Sequence, residues 1–257
     1  MAVGAGGCAS FASATGLVKS PHSKAAPQGP TWASYLDRQP GRTCTLTDGE
    51  GPIQSTLAQT VSSVSTTVVR YQIQTAATGP QSGIAPTRNP ISVPYELMAD
   101  GRLGVAPGSY PLANGLRFAI SGFEVYPAVA DLPSGRAIRS SVSGTLTATT
   151  AAARQETAGL TADGQPLRFK VEFSVAGLTT GSGIRTSAGT YRDLAGVVVK
   201  PLSMTALNAS PAAKASLDAA GGFMQALGAS RLYFAKGVGL VQATSSGVTL
   251  RLSRCRG

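Results

Sequence analysis

One histidine, three cysteines and twelve carboxylates are the side chains from which this chain of 257 residues could build catalytic or metal chemistry. The histidine, His22, stands in a stretch that also holds Pro21, Pro27 and Pro30, outside any patterned segment. A nucleophile activated by imidazole, a paired-histidine metal site or a histidine base inside a core is therefore not expected. The sequence has no G-x-S-x-G elbow and no Walker-type phosphate loop. Gly237-Val-Gly239 opens like a dinucleotide fingerprint, but Gln242 holds the third glycine position and no helical pattern follows. These read instead as strand glycines, which let a sheet bend or let another backbone or ring approach it.

The carboxylates are sparse and most of the aspartates fall in turn-like sequence. Asp48 and Glu50 supply too few oxygens for a calcium site. Glu124 and Glu172 lie in strand-like segments opposite apolar neighbours, so they read as a solvated sheet face and not as an acid/base pair. Asp193 beside Arg192 reads as a local cap or salt bridge. No catalytic residue, cofactor site or metal site is assigned, and the chain is not expected to be an enzyme.

Cys8, Cys44 and Cys255 share no C-x-x-C or metal-ligand spacing. Cys44 sits where a low-complexity region gives way to patterned sequence, and Cys255 sits just beyond the last strand-like run. A Cys44–Cys255 disulfide tying the two ends together is expected, the alternative being two free thiols in a reducing compartment. Cys8 follows Met1-Ala-Val-Gly-Ala-Gly-Gly, which resembles the end of a bacterial lipoprotein signal, although no charged or apolar stretch precedes it. Lipidation of Cys8 and a chance match in a Gly/Ala-rich leader both stay open.

Formal charge is +10, from 22 Lys plus Arg against 12 Asp plus Glu, yet only 13% of residues are charged. The arginines stand singly between apolar residues, with no dense basic run and no interleaved aromatics, so nucleic acid is not an expected partner. Arg251, Arg254 and Arg256 form the one cluster. It reads as a solvated tail, with contact to an anionic surface as the alternative. No apolar run has the length of a transmembrane helix.

The elements follow from periodicity. Residues 1–43 are rich in Ala, Gly, Ser and Pro and read as a flexible or wrapping arm. Trp32 and Tyr35 anchor it onto this protein or onto a partner. Residues 44–257 read as a single antiparallel β domain. Val69–Thr75 alternates apolar and polar residues, as does Leu167–Val175. Asp100-Gly101 predicts a hairpin joining Ile91–Met98 to Leu103–Val105. Leu116–Ile120 and Phe123–Tyr126 read as strand interrupted by a bulge at Ser121-Gly122. Residues 138–149 and 167–177 are expected to pair as a long hairpin. Thr190–Lys200 follows as a strand, and residues 232–243 and 247–253 as a last hairpin. One helix is expected at about 210–228, started by the capping sequence Asn208-Ala-Ser-Pro211 and weakened at Gly221-Gly222. Strands with one helix and no βαβ alternation predict a mainly β fold, a curved antiparallel sheet or half-barrel with that helix packed on it.

Gly189-Thr190-Tyr191 opening one strand, and Tyr233-Phe234-Ala235 followed by Gly237-Val238-Gly239-Leu240-Val241 in a later one, resemble the closing strands of bacterial envelope β-sheet proteins and lipoproteins of lipoprotein-carrier (LolA-like) shape. The resemblance implies a curved sheet in the periplasm, on the outer surface or in the secreted fraction, with no cofactor and no catalytic residue. It leads to a binding or structural component of a larger envelope assembly, with a protein partner or a second copy engaged through the arm, and membrane attachment through Cys8. The rival expectation is a carrier of a lipid or lipoprotein acyl chain, with Phe169, Phe173, Met224 and Phe234 lining an apolar cavity.

Overall fold

The computed structural model describes residues 29–48, 54–78, 90–106, 109–111, 115–161, 163–181, 183–217, 229–245 and 247–257. A short helix, α1 (Trp32–Tyr35), precedes β1 (Thr43–Thr47), β2 (Gln54–Val64), β3 (Val68–Thr78), β4 (Ile91–Leu97), β5 (Leu103–Val105), β6 (Ser109–Pro111), β7 (Leu116–Ser121) and β8 (Glu124–Tyr126). A 3-10 turn (Val129–Ser134) leads to β9 (Ile138–Ala148), helix α2 (Ala151–Glu156), β10 (Leu167–Leu178), β11 (Ile184–Thr186), β12 (Gly189–Tyr191), β13 (Leu194–Ala206), β14 (Ser230–Ala235), β15 (Gly239–Ser245) and β16 (Val248–Arg256). Fourteen of these strands form one curved antiparallel sheet that does not close, in the order β6-β7-β9-β10-β13-β14-β15-β16-β1-β2-β3-β4-β5-β8, and β11 with β12 makes a separate small hairpin.

Side-chain alternation sets the inside of the curve. In β3, Val69 and Tyr71 are buried while Arg70 faces out, and in β10 Leu167, Phe169 and Val171 are buried while Arg168 and Lys170 are exposed. The period-two pattern thus gives one core face and one wet face, as expected. The expected hairpins β4/β5 and β9/β10 form, the latter running from Ile138 opposite Val175 to Leu146 opposite Leu167.

Three expectations are corrected. The strand foreseen over residues 232–243 is two strands: Gly237 and Gly239 adopt positive φ of 71° and 91°, and the chain folds back through Lys236–Val238 into the β14/β15 pair. Thr190–Lys200 is likewise split, with Gly189–Tyr191 leaving to pair with β11. The Ser121-Gly122 break is not a bulge within one strand. Gly122, at φ 94°, sends β7 and β8 to opposite ends of the sheet order, so the sheet must curl until its ends come together. The seam is held by a side chain: the Ser140 hydroxyl of β9 accepts from Val125 N at 2.9 Å and donates to Phe123 O at 3.1 Å.

Of the expected helix, residues 211–217 are helical and largely exposed, and the remainder lies outside the described residues. Ser210 is its cap, its hydroxyl accepting from Ala213 N at 3.3 Å, with Pro211 in the first turn. The Arg251, Arg254 and Arg256 cluster is no solvated tail. It belongs to β16, which lies inside the sheet between β15 and β1.

Candidate functional site

The inside of the curve is filled by the chain's own N-terminal segment. Trp32, Tyr35 and Leu36 are 1%, 4% and 3% exposed and belong to the main apolar core with Tyr71, Tyr126, Val197, Phe234 and Val241. The Trp32 indole N–H donates to Pro127 O at 2.7 Å, and its ring stands edge-on to Phe234 at 5.4 Å and tilted to Tyr126 at 6.1 Å. Tyr35 donates to Asp193 Oδ1 at 2.6 Å, Gly237 N donates to Ser34 O at 2.7 Å, and Tyr71 of β3 donates to Asp37 O at 2.7 Å. The segment is therefore bolted to β3, to the exit of β8, to the start of β13 and to the β14–β15 turn. Gly239 is the close approach that its sequence context suggested: a Cβ there would lie 3.1 Å from Asp37 N.

Of the two expectations for Trp32 and Tyr35, the anchor onto this protein is the one found, and the partner-contact reading is corrected. A tryptophan and a tyrosine with their polar atoms satisfied inside the same chain gain more from burial than they would in a free arm, so Trp32, Tyr35 and Leu36 are core. Asp193 is corrected too: its partners are Tyr35 and, at 3.7 Å, Lys236, not Arg192.

Electrostatics follow burial. Asp37 is 4% exposed and its carboxyl pKa is raised by desolvation, which the Gln39 N–H at 3.1 Å and the Arg42 guanidinium at 3.7 Å partly offset. Desolvation and the neighbouring Asp193 push the Tyr35 hydroxyl up to about 12. Tyr71 is raised as well, chiefly by burial. Glu124 departs furthest from the sequence reading. It lies two residues from buried Tyr126 on the same face of β8, and burial raises it from 4.5 to about 7, a hydrogen bond with Tyr126 working in the opposite direction. Glu172 does face solvent, paired to Lys170 Nζ at 2.7 Å, which lowers its pKa.

Among the described residues, no group of three or more His, Cys, Asp or Glu side chains converges as a metal site and no buried side-chain nitrogen or oxygen lacks a partner. Cys44 and Cys255 are directly opposed on β1 and β16 and form the expected disulfide. Cys8 and His22 lie outside the described residues.

Of the cavity candidates, Phe173 and Phe234 share the main core while Phe169 stands apart from it. Phe234 packs on Trp32, and Phe173 packs against the same main core. Phe169 belongs to a separate cluster, with Phe118 at 5.9 Å, near Gly144, where a Cβ would strike the Phe118 ring. Met224 lies outside the described residues. Surface grooves of about 380 and 550 Å³ occur beside α2, around Leu146 and Leu160, and beside the 3-10 turn, around Arg102, Arg136 and Arg139. Neither is lined by Phe169, Phe173 or Phe234. The sequence reading gave no role to Asp37, Ser140 or the Tyr71 hydroxyl and placed Glu124 in solvent. Only Glu124 carried a usable signal, its i, i+2 relation to Tyr126.

The fold is thus an open, curled antiparallel sheet stoppered by its own N-terminal segment. No family model and no curated protein matches the chain. It is similar to a solved structure from Bacteroides fragilis, described as having a YmcC-like fold and belonging to a protein taken to be exported. Identity is 14%, with 87% of this chain and 99% of that one covered and a TM-score of 0.49, an overlap too loose to carry any argument.

Proposed function

We propose that this is an exported bacterial envelope protein that works by contact through the outer surface of its sheet, without chemistry of its own. The observation that carries the reading is the stoppered interior. The space in which a carrier would hold an acyl chain contains Trp32, Tyr35 and Leu36, each satisfied by this chain's own groups. The Cys44–Cys255 disulfide supports export, because such a bond persists in oxidising compartments. What remains for binding is the outside, and a protein partner or a second copy of the chain is a fitting occupant.

Native mass spectrometry of the full chain, purified without detergent, tests this. The expected spectrum shows the protein mass, alone or in multiples, with no acyl adduct. A stoichiometric co-purified lipid that is lost together with displacement of residues 29–42 would overturn the reading in favour of a carrier.

A further inference from the structure

We infer that the outer face of β14–β15–β16–β1 is a docking surface for an anionic membrane, with Arg231, Arg251, Arg254 and Arg256 as its contact groups. The register carries the argument. Arg256, Arg254 and Arg251 stand opposite Thr43, Thr45 and Thr47 of β1, on the side away from buried Cys44 and Leu46. Across β15, Gln242 opposes Arg251, while Thr244 opposes both Thr249 of β16 and Arg231 of β14. All four arginines are exposed, and none has a carboxylate partner among the described residues.

The neighbouring outward positions are Thr, Gln and Tyr233, with no Asp or Glu among the described residues of these four strands. Strand spacing makes the patch about 10 Å across and about 20 Å long. The threonines are short, so the guanidinium groups are the outermost atoms over a carpet of hydroxyls. Four uncompensated cations at the tips of a rigid sheet match a plane of lipid phosphates.

The sheet is rigid at this point because β16 is paired on both sides and Cys255, between Arg254 and Arg256, is bonded to Cys44. A linear polyanion would be held better in a cleft. The two grooves described above contain none of the four arginines, and the charges spread over two dimensions. Charge complementarity to a flat anionic surface therefore decides the occupant. The contact is interfacial, since the face offers no apolar side chain larger than Tyr233 for insertion.

This rests on the outer surface being the working one, and its failure would leave the stoppered interior, tested by mass spectrometry, untouched. The test is co-sedimentation of the full chain with phosphatidylcholine vesicles made with and without phosphatidylglycerol. Binding is expected only with the anionic lipid and is expected to collapse at high salt. Each arginine near such a surface contributes about fivefold in partitioning, so Arg254→Gln with Arg256→Gln should weaken binding about 30-fold. Arg231→Gln with Arg251→Gln, a second pair that leaves the disulfide strand ends alone, should weaken it similarly. Arg117→Gln with Arg168→Gln, on β7 and β10 elsewhere in the sheet, should leave it unchanged. Equal binding to neutral vesicles, insensitivity to both arginine pairs, or arginine-dependent binding to a soluble polyuronate but not to vesicles would overturn the proposal.

Discussion

Replacing Glu124 by Gln keeps the size of the side chain and its reach to Tyr126 while deleting a titration from the interior. Burial lifts this carboxyl from 4.5 to about 7, so between those values the folded protein holds a proton that the unfolded chain has released. The proton favours the folded state below the lower value, and that contribution is lost as pH rises through the upper one. The gap is equivalent to about 3 kcal/mol of stability, a large part of what a domain of this kind has in total. Urea unfolding of wild type and Glu124→Gln, followed through the single tryptophan across about pH 4.5 to 8, isolates the effect, because Asp37 and the remaining groups titrate in both proteins. The wild type should lose about 3 kcal/mol more than the variant over that range. Parallel stability curves would show that Glu124 is hydrated in solution and that burial does not raise its pKa.

Other perturbations address the seam and the staple. Cys44→Ser with Cys255→Ser opens a link across 211 residues and should lower stability by up to about 5 kcal/mol, read as a drop in urea midpoint that reducing agent reproduces in the wild type. Ser140→Ala strips the partner from Val125 N and Phe123 O; a loss of about 1–3 kcal/mol is expected, with amide exchange at Val125 accelerated more than at Val93 in β4. Gly239→Ala places a Cβ at φ 91° against the Asp37 backbone and should cost about 1–3 kcal/mol, with a red shift of tryptophan emission as residues 32–37 are pushed outward.

Alternation alone was enough to place β3 and β10 and to choose their buried faces, because Val69/Tyr71 and Phe169/Val171 recur at the period of the pleat. The β4/β5 turn and the Cys44–Cys255 pair were legible for similarly local reasons: Asp-Gly fixes a tight turn, and two cysteines at the ends of a patterned region have few other partners. What stayed hidden was long-range. Gly122 looks the same in sequence whether it makes a bulge or throws β8 to the far edge, and only the sheet order decides. The stretch around Trp32 reads as an arm because Pro and Ala dilute it, whereas its placement depends on contacts far along the chain, such as Tyr35 with Asp193, 158 residues away, and Trp32 with Phe234. Arg251, Arg254 and Arg256 read as a tail by position, and only the pairing of β16 with both β15 and β1 turns them into a fixed array.

The single tryptophan reports directly on whether the N-terminal segment stoppers the sheet. Trp32 is 1% exposed, so native emission should be blue-shifted and nearly insensitive to iodide and acrylamide, reverting on unfolding. Native emission at the wavelength of free tryptophan, quenched as readily as in urea, would place Trp32 in water and contradict the account.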